Sequence, residues 1–310
     1  MTVLLIFLPT SLKATSDPQL EWPITFTKPW NKLSSTFGPR LQASENYRYD
    51  FHRGIDIPGD RADKVVAAAD GTVFRVYSDN DPASPYYSSG TTIIVRHHFE
   101  QPWYFHGQAQ TTYYSLYMHL ASVATNLTEG QSVQAGDTLG YIGKSGDTNF
   151  SHLHFEIRVG TTCSLEAACN TTGFDPHINP LTFLTYPQNN HLGLQVSSQA
   201  TALQLRLKIS RRELDVNRVI VTSYNHSAQP MQTKTLNFNT RHGLAAQSTT
   251  TLDQANYNGL TLQPQKFSAR SKNEILNLTY NDFLTDAVGH AHIKIYDVHG
   301  NLIAHKRYQR

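Results

Sequence analysis

Polar and apolar residues alternate with period two along most of this chain, and almost no stretch carries the spacing of an amphipathic helix. The alternation is sharpest through Ser151-His152-Leu153-His154-Phe155-Glu156-Ile157, where His152, His154 and Glu156 oppose Leu153, Phe155 and Ile157. This predicts a half-buried strand, with residues two apart sharing a face at about 7 Å. Ser34 to Arg40 reads as a strand closed by the Gly38-Pro39 turn. Lys64 to Val76 reads as strand, Asp70-Gly71 turn, strand. Thr91 to Arg96 and Thr111 to Leu120 are further strands. The stretches Ser78 to Gly90 and Phe99 to Gln110 are expected to be long loops. Glu129 to Gly140 holds two glycine turns around a short strand. Beyond Tyr186-Pro187-Gln188-Asn189-Asn190, a plausible linker, alternation resumes. It runs over Ala202 to Ile209, Asn217 to Tyr224, Lys234 to Phe238, Glu274 to Tyr280, Ala291 to Tyr296 and Leu302 to Tyr308, a spacing that suggests a β-sandwich. The expected fold is mainly β: an antiparallel-sheet domain over residues 21–187, then a β-sandwich-like domain over 188–310. Residues 1–20 are set apart as a leader.

Length and charge sharpen this division. The 310 residues suffice for two cores. Residues 1–187 hold 12 Lys+Arg against 17 Asp+Glu, whereas 188–310 hold 14 against 7. A basic second half suits an anionic surface, such as a cell wall, anionic lipid or nucleic acid, or is simply a solvated basic domain. It is expected to contribute binding rather than chemistry. The start, Met1 to Pro9, has the length of a secretory leader's apolar core and is too short to span a bilayer. No basic flank precedes it. No other segment approaches transmembrane length, which argues against stable membrane insertion. Cys163 and Cys169, the only cysteines, lie six apart in a Thr/Ser/Ala-rich stretch. They are expected to form a local disulfide, with two free thiols as the alternative. With the leader they point outside the cytoplasm.

Candidate chemistry comes from four pieces: His52 with Asp56, His119 after Tyr117, and His152 with His154. In a straight strand His52 and Asp56 would lie about 13 Å apart. If both hold one ion, the chain must bend at Gly54. A catalytic zinc takes three protein ligands and leaves a fourth position open. It lowers the pKa of a bound water and polarises a carbonyl, and further histidines can move protons or stabilise an oxyanion.

At these residues the chain resembles the LytM/lysostaphin-type zinc endopeptidases. The matching motifs are His52-Arg53-Gly54-Ile55-Asp56-Ile57, Ala67-Ala68-Ala69-Asp70-Gly71, Tyr117-Met118-His119-Leu120, Gly136-Asp137-Thr138-Leu139-Gly140 and His152-Leu153-His154-Phe155-Glu156. They cover roughly Phe37 to Leu184. The resemblance implies one Zn2+ held by His52, Asp56 and His154, with His119 and His152 as catalytic histidines. It also implies a twisted antiparallel sheet and hydrolysis of peptide bonds in bacterial peptidoglycan. The expected setting is periplasmic or secreted, and no nucleic-acid partner is expected. Two other readings stay open: a non-hydrolytic module that binds wall peptides or activates another hydrolase, and a protease acting on glycine-rich proteins. Degenerate relatives lose metal ligands, and here all five positions are present. The long loops and the Cys-containing stretch Thr161 to Gly173 depart from a minimal member.

Among the remaining residues, His97 and His98 read as structural, with His97 a potential neighbour of the ligands. His106 and His177 read as exposed loop residues. Tyr117 reads as a packed strand residue. Trp103, Tyr104 and Phe105 form either a stacking wall for substrate or the core of their own loop.

Overall fold

The computed structural model describes residues 18–42, 48–78, 87–105, 107–160, 176–185, 192–209, 216, 218–237, 255–257, 260–264 and 275–310. The apolar start, both cysteines, His106 and residues 186–190 lie outside them. The first half contains strands β1 (Gly38–Gln42), β2 (Arg48–His52), β3 (Ile55–Pro58), β4 (Lys64–Val66), β5 (Gly71–Tyr77), β6 (Thr91–Phe105) and β7 (Gln108–Leu120). It continues with β8 (Ser122–Val123), β9 (Ser132–Val133), β10 (Thr138–Tyr141), β11 (His152–Val159) and β12 (His177–Ile178).

The strand with the sharpest alternation, β11, lies one in from the end of a seven-stranded sheet ordered β12-β11-β7-β6-β5-β9, with β3 also pairing to it. Its pairing is antiparallel throughout, with β7 along one edge and β3 and then β12 along the other. Leu153, Phe155 and Ile157 are fully buried in a core shared with Ile55, Ile57, Ile93, Val95 and Tyr117. Each such side chain contributes about 1.5–3 kcal/mol on leaving water. The opposite face carries His152, His154, Glu156 and Arg158 beside a small separate cluster of Ile94, Tyr114, Leu116 and Met118. One periodicity thus divides the sheet into a core face and a chemical face.

Three local expectations change. The stretch Phe99 to Gln110 is not a loop, because β6 and β7 pair as one long hairpin out to Phe105 and Gln108. A register shift between His98 and Trp103 interrupts the period-two pattern, which hid the strand. Strands β4 and β5 flank Asp70-Gly71 but do not pair: β4 joins β10, and β5 lies between β6 and β9. Gly38-Pro39 opens β1 rather than closing a strand.

The second half is a two-sheet sandwich. Its strands are β13 (Leu192–Gln199), β14 (Ala202–Ile209), β15 (Arg218–Asn225), β16 (Pro230–Asn237), β17 (Ala255–Tyr257), β18 (Leu260–Pro264), β19 (Ile275–Tyr280), β20 (Val288–Tyr296) and β21 (Leu302–Gln309). One sheet runs β13-β14-β19-β18-β17 and the other β16-β15-β20-β21. Leu203, Leu205, Leu207 and Leu278 from the first meet Val219, Val221, Leu236, Ile293 and Ile295 from the second.

Candidate metal centre

Register alone brings most of the site together. His154 on β11 lies opposite Asp56 on β3 and opposite Met118 on β7, so Asp56, His154 and the end of β7 form one row. Directly opposed residues hold their Cβ atoms about 4.5–5.5 Å apart on the same face. Strand alternation would send His119, next after Met118, to the other face. Instead it has φ 63, a left-handed conformation uncommon for a non-glycine residue, which breaks the alternation. Its ring centroid lies 4.9 Å from that of His152 and 5.9 Å from that of His154.

His52 arrives from a different sheet, as the last residue of β2. The chain breaks its strand at Arg53-Gly54 before β3 begins, so the required bend is present. Gly54 also serves close packing. A Cβ there would lie 2.3 Å from the Phe155 carbonyl oxygen and 2.9 Å from His154 Nε2. Only a hydrogen lets this turn lie against β11.

The resulting triangle is tight. His52 Nε2 is 3.1 Å from Asp56 Oδ1 and 3.1 Å from His154 Nδ1, and the last two atoms are 2.8 Å apart. Hydrogen-bond partners identify what these atoms present. The His52 Nδ1–H donates to the Thr36 carbonyl (2.9 Å), so its Nε2 carries a lone pair. The His154 Nε2–H donates to Glu156 Oε1 (3.0 Å), so in the neutral ring its Nδ1 carries one as well. Two imidazole lone pairs and a carboxylate oxygen therefore converge, an arrangement that needs a shared proton or a cation. Ligand atoms about 2 Å from a tetrahedral ion lie about 3.3 Å from one another, close to the observed spacing. His52, Asp56 and His154 could thus hold a metal ion, and the donor set suits one of borderline softness.

Electrostatics agree with that chemistry. Burial would raise Asp56, but His52 beside it and then the neighbouring imidazoles of His152 and His154 hold it well below the carboxylate range. Burial would lower His154, yet Asp56 and Glu156 outweigh it and push the imidazole up to about 9. His119 is pushed down to about 3 by burial and then by the neighbouring imidazoles. Its Nδ1–H donates to the Ser145 carbonyl (3.0 Å), leaving Nε2 as the acceptor. His152 is fixed alike, with Nδ1–H on the Phe150 carbonyl (3.1 Å) and Nε2 3.5 Å from Asp56 Oδ1.

All five predicted site residues therefore meet in one cluster. A supporting network was not foreseen. Glu156 Oε2 accepts from Arg158 Nε at 2.7 Å, and His177 Nε2 lies 3.5 Å away. Burial would raise Glu156, but the Arg158 guanidinium and the two imidazoles hold it well below its usual range. His177 is thus no exposed loop residue: it is buried on β12, opposite Arg158, where the carboxylate compensates its burial. The available signal was Glu156 itself, which continues the His152, His154 face.

His97 is structural. Its Nδ1 reaches the Asp70 carbonyl and its Nε2 reaches Ser115 Oγ, both at 2.7 Å, and Ser115 continues to the Tyr117 hydroxyl at 3.0 Å. That hydroxyl accepts from Ala68 N–H (2.9 Å) inside the core and is pushed up to about 12 by burial, so Tyr117 does not reach the cleft. Trp103 stacks between Phe99 and Phe105 and meets Phe183 edge-on at 5.5 Å. These rings belong to the interior, and only Tyr104, 65% exposed, faces solvent.

The model of peptidase family M23 matches residues 50–166, a span that encloses all five histidine and aspartate positions. Residues 50–166 thus match an M23 peptidase domain. Over 128 residues it is 27% identical to the peptidoglycan DD-endopeptidase ShyA of Vibrio cholerae, covering 41% of this chain and 25% of that protein. Over 127 residues it is 33% identical to the murein hydrolase activator NlpD of Escherichia coli, covering 41% and 26%. The chain spans about a quarter of the length of these curated relatives. Among solved structures, the catalytic domain of lysostaphin from Staphylococcus simulans matches with a TM-score of 0.35 at 22% identity, covering 51% of this chain and 98% of that one. The matched region of this chain is nearly all antiparallel β, and no helix among the described residues is long and apolar enough to cross a membrane.

Proposed function

We propose that this protein is a zinc-dependent endopeptidase that hydrolyses peptide bonds in bacterial cell-wall peptidoglycan. The observation that carries the reading is the convergence of two imidazole lone pairs and the Asp56 oxygen, with two further imidazoles alongside. When bound there, Zn2+ would supply Lewis-acid polarisation of the scissile carbonyl and activation of a water. His52, Asp56 and His154 are the residues to hold it. Carbonyl-bound Nδ1–H groups orient His119 and His152 and leave each Nε2 able to take a proton from the attacking water. After accepting it, the same atom can donate to the developing oxyanion or to the leaving amine. Glu156, held ionised by Arg158, fixes the tautomer of His154.

The setting proposed is extracytoplasmic. The second half supplies binding to an anionic wall polymer. In support, strands β15, β16, β20 and β21 carry Arg218, Lys234, Lys294, Lys306 and Arg307 and not one Asp or Glu. The 33% identity to an activator of murein hydrolases favours one alternative, a module that stimulates another hydrolase. Retention of all five positions speaks for catalysis.

Digestion of purified sacculi separates the two, using the zinc-loaded protein and its Asp56→Ala variant, with mass spectrometry of released fragments. New peptide ends from the wild type alone support the endopeptidase. If a folded, zinc-loaded wild type releases nothing yet accelerates a second wall hydrolase, the activator reading replaces it.

A further inference from the structure

The segment ahead of the first hairpin grips the metal centre from behind. Ser34 N–H donates to the Asp56 carbonyl (3.0 Å), and the Ser35 carbonyl accepts from Asp56 N–H (2.9 Å). The Thr36 carbonyl accepts from His52 Nδ1–H, and Gly38 pairs across the hairpin with His52. Residues 34–37 belong to no regular strand; their ladder contact is a single bridge between Ser35 and Asp56. What holds this segment therefore decides where two of the three candidate ligands sit.

In the middle of the segment is Phe37, and its side chain does not join the first-half core. It is fully buried within the contiguous apolar cluster of the sandwich, with Leu203, Leu205, Val219, Val221 and Ile293. The exchange runs both ways. Val298, in the turn between β20 and β21, is buried in the first-half core with Leu153, Phe155 and Ile178. Each half thus inserts one apolar side chain into the core of the other. A fully buried phenylalanine is a strong anchor, and moving catalytic or ligand groups by even about 1 Å impairs a site.

We propose that Phe37 is a positioning residue through which the second half holds the backbone of residues 34–38 against His52 and Asp56. The sandwich then contributes to the geometry of the metal centre as well as to binding. The dependence of metal affinity on Phe37 rests on the zinc reading above; the positional role does not.

The test uses the full chain. Amide hydrogen exchange at Ser34 and Asp56 is measured in zinc-free protein, and Zn2+ affinity is measured by competition with a chromophoric chelator. In Phe37→Ala both amides should exchange faster by roughly tenfold or more. Zn2+ affinity should weaken by about 10–100-fold, the scale of losing support behind a ligand. Phe37→Leu should restore most of both. Val133→Ala, a cavity in the first-half core at the far edge of the sheet, should lower Tm and leave both readouts unchanged. Wild-type exchange in Phe37→Ala, or an equal change in Val133→Ala, overturns the proposal. If Phe37→Ala does not fold, Phe37→Leu and Phe37→Val decide: exchange that rises with lost volume supports the role, and a flat response overturns it. A wild-type chain that binds no Zn2+ removes the metal reading alone, and the exchange data still decide whether Phe37 positions the segment.

Discussion

Two strands of this protein carry the same three-position pattern, His152-Leu153-His154 on β11 and His290-Ala291-His292 on β20. Both put an apolar residue into a core and two imidazoles on the opposite face. Their surroundings differ in charge. His154 has Asp56 opposite it and Glu156 two residues on, and these carboxylates push it up to about 9 against its burial. His292 has Thr222 and Arg307 opposite and Lys294 two residues on. Burial lowers it, and His290, His305 and Arg307 lower it further. His290, stacked face-on with Tyr224 at 4.8 Å, is likewise lowered by burial and by Arg307. Among the described residues the one group arranged to hold a cation is His52, Asp56 and His154. An imidazole pair on a strand becomes an ion site only where carboxylates converge on it and carbonyls fix its tautomers.

The largest expected effect separates these two pairs outright. His154→Ala should take bound Zn2+ from about one per chain to near zero and abolish peptide hydrolysis, because two remaining ligands hold the ion poorly. His292→Ala should leave both unchanged. Metal analysis beside kinetics checks this, and a His154→Ala protein that keeps its zinc would reverse the assignment.

Next in size is the division within the first cluster. His119→Ala and His152→Ala should retain zinc near stoichiometry while kcat falls by roughly 10²–10⁴, the scale of a lost proton-transfer or oxyanion contact. Loss of zinc from His152→Ala would make it a ligand.

Glu156→Gln tests whether the carboxylate behind His154 makes the difference between the strands. It preserves shape, leaves the Arg158 guanidinium without its counter-charge and weakens the hold on the tautomer. Zn2+ affinity should drop by about 10–100-fold with the three ligands intact. An unchanged affinity would confine Glu156 to structure.

The smallest effect is a proton count. A His154 held near 9 is protonated at neutral pH in the metal-free protein, so Zn2+ must displace that proton. Binding at pH 7 should release about one proton, and apparent affinity should fall about tenfold per pH unit as pH drops below 9. The linked stability has a definite sign. Because the folded pKa is raised, the metal-free protein keeps this contribution below about 6.5 and loses it as pH rises through 9. Calorimetry in buffers of different ionisation enthalpy measures the release; none at pH 7 would contradict the charged His154.

Much of the first half was legible in the sequence because a strand's period records which face meets the core. Leu153, Phe155 and Ile157 are buried as their alternation required, and the glycine turns at Gly130 and Gly136 have the positive φ values expected of them. The β6–β7 hairpin was missed where a register shift erased the period between His98 and Trp103. His177 was misjudged because a solitary histidine near a proline carries no local sign of a buried carboxylate elsewhere in the chain.

The sequence by itself determined residue chemistry and facing: four histidines and an aspartate of metal-binding type, two of them sharing a strand face, in a chain built of short strands. Tertiary structure decided convergence. His52 and His154 are 102 residues apart in sequence, and Asp56 and His154 are 98 apart. Their meeting depends on the register of β3 against β11, the left-handed φ of His119 and the close approach that Gly54 permits. The Glu156–Arg158–His177 network and the exchange of Phe37 for Val298 between cores were settled at the same level. Period and residue type are local properties of the chain, whereas register and core exchange are set by the long-range packing that minimises exposed apolar surface and unpaired buried charge.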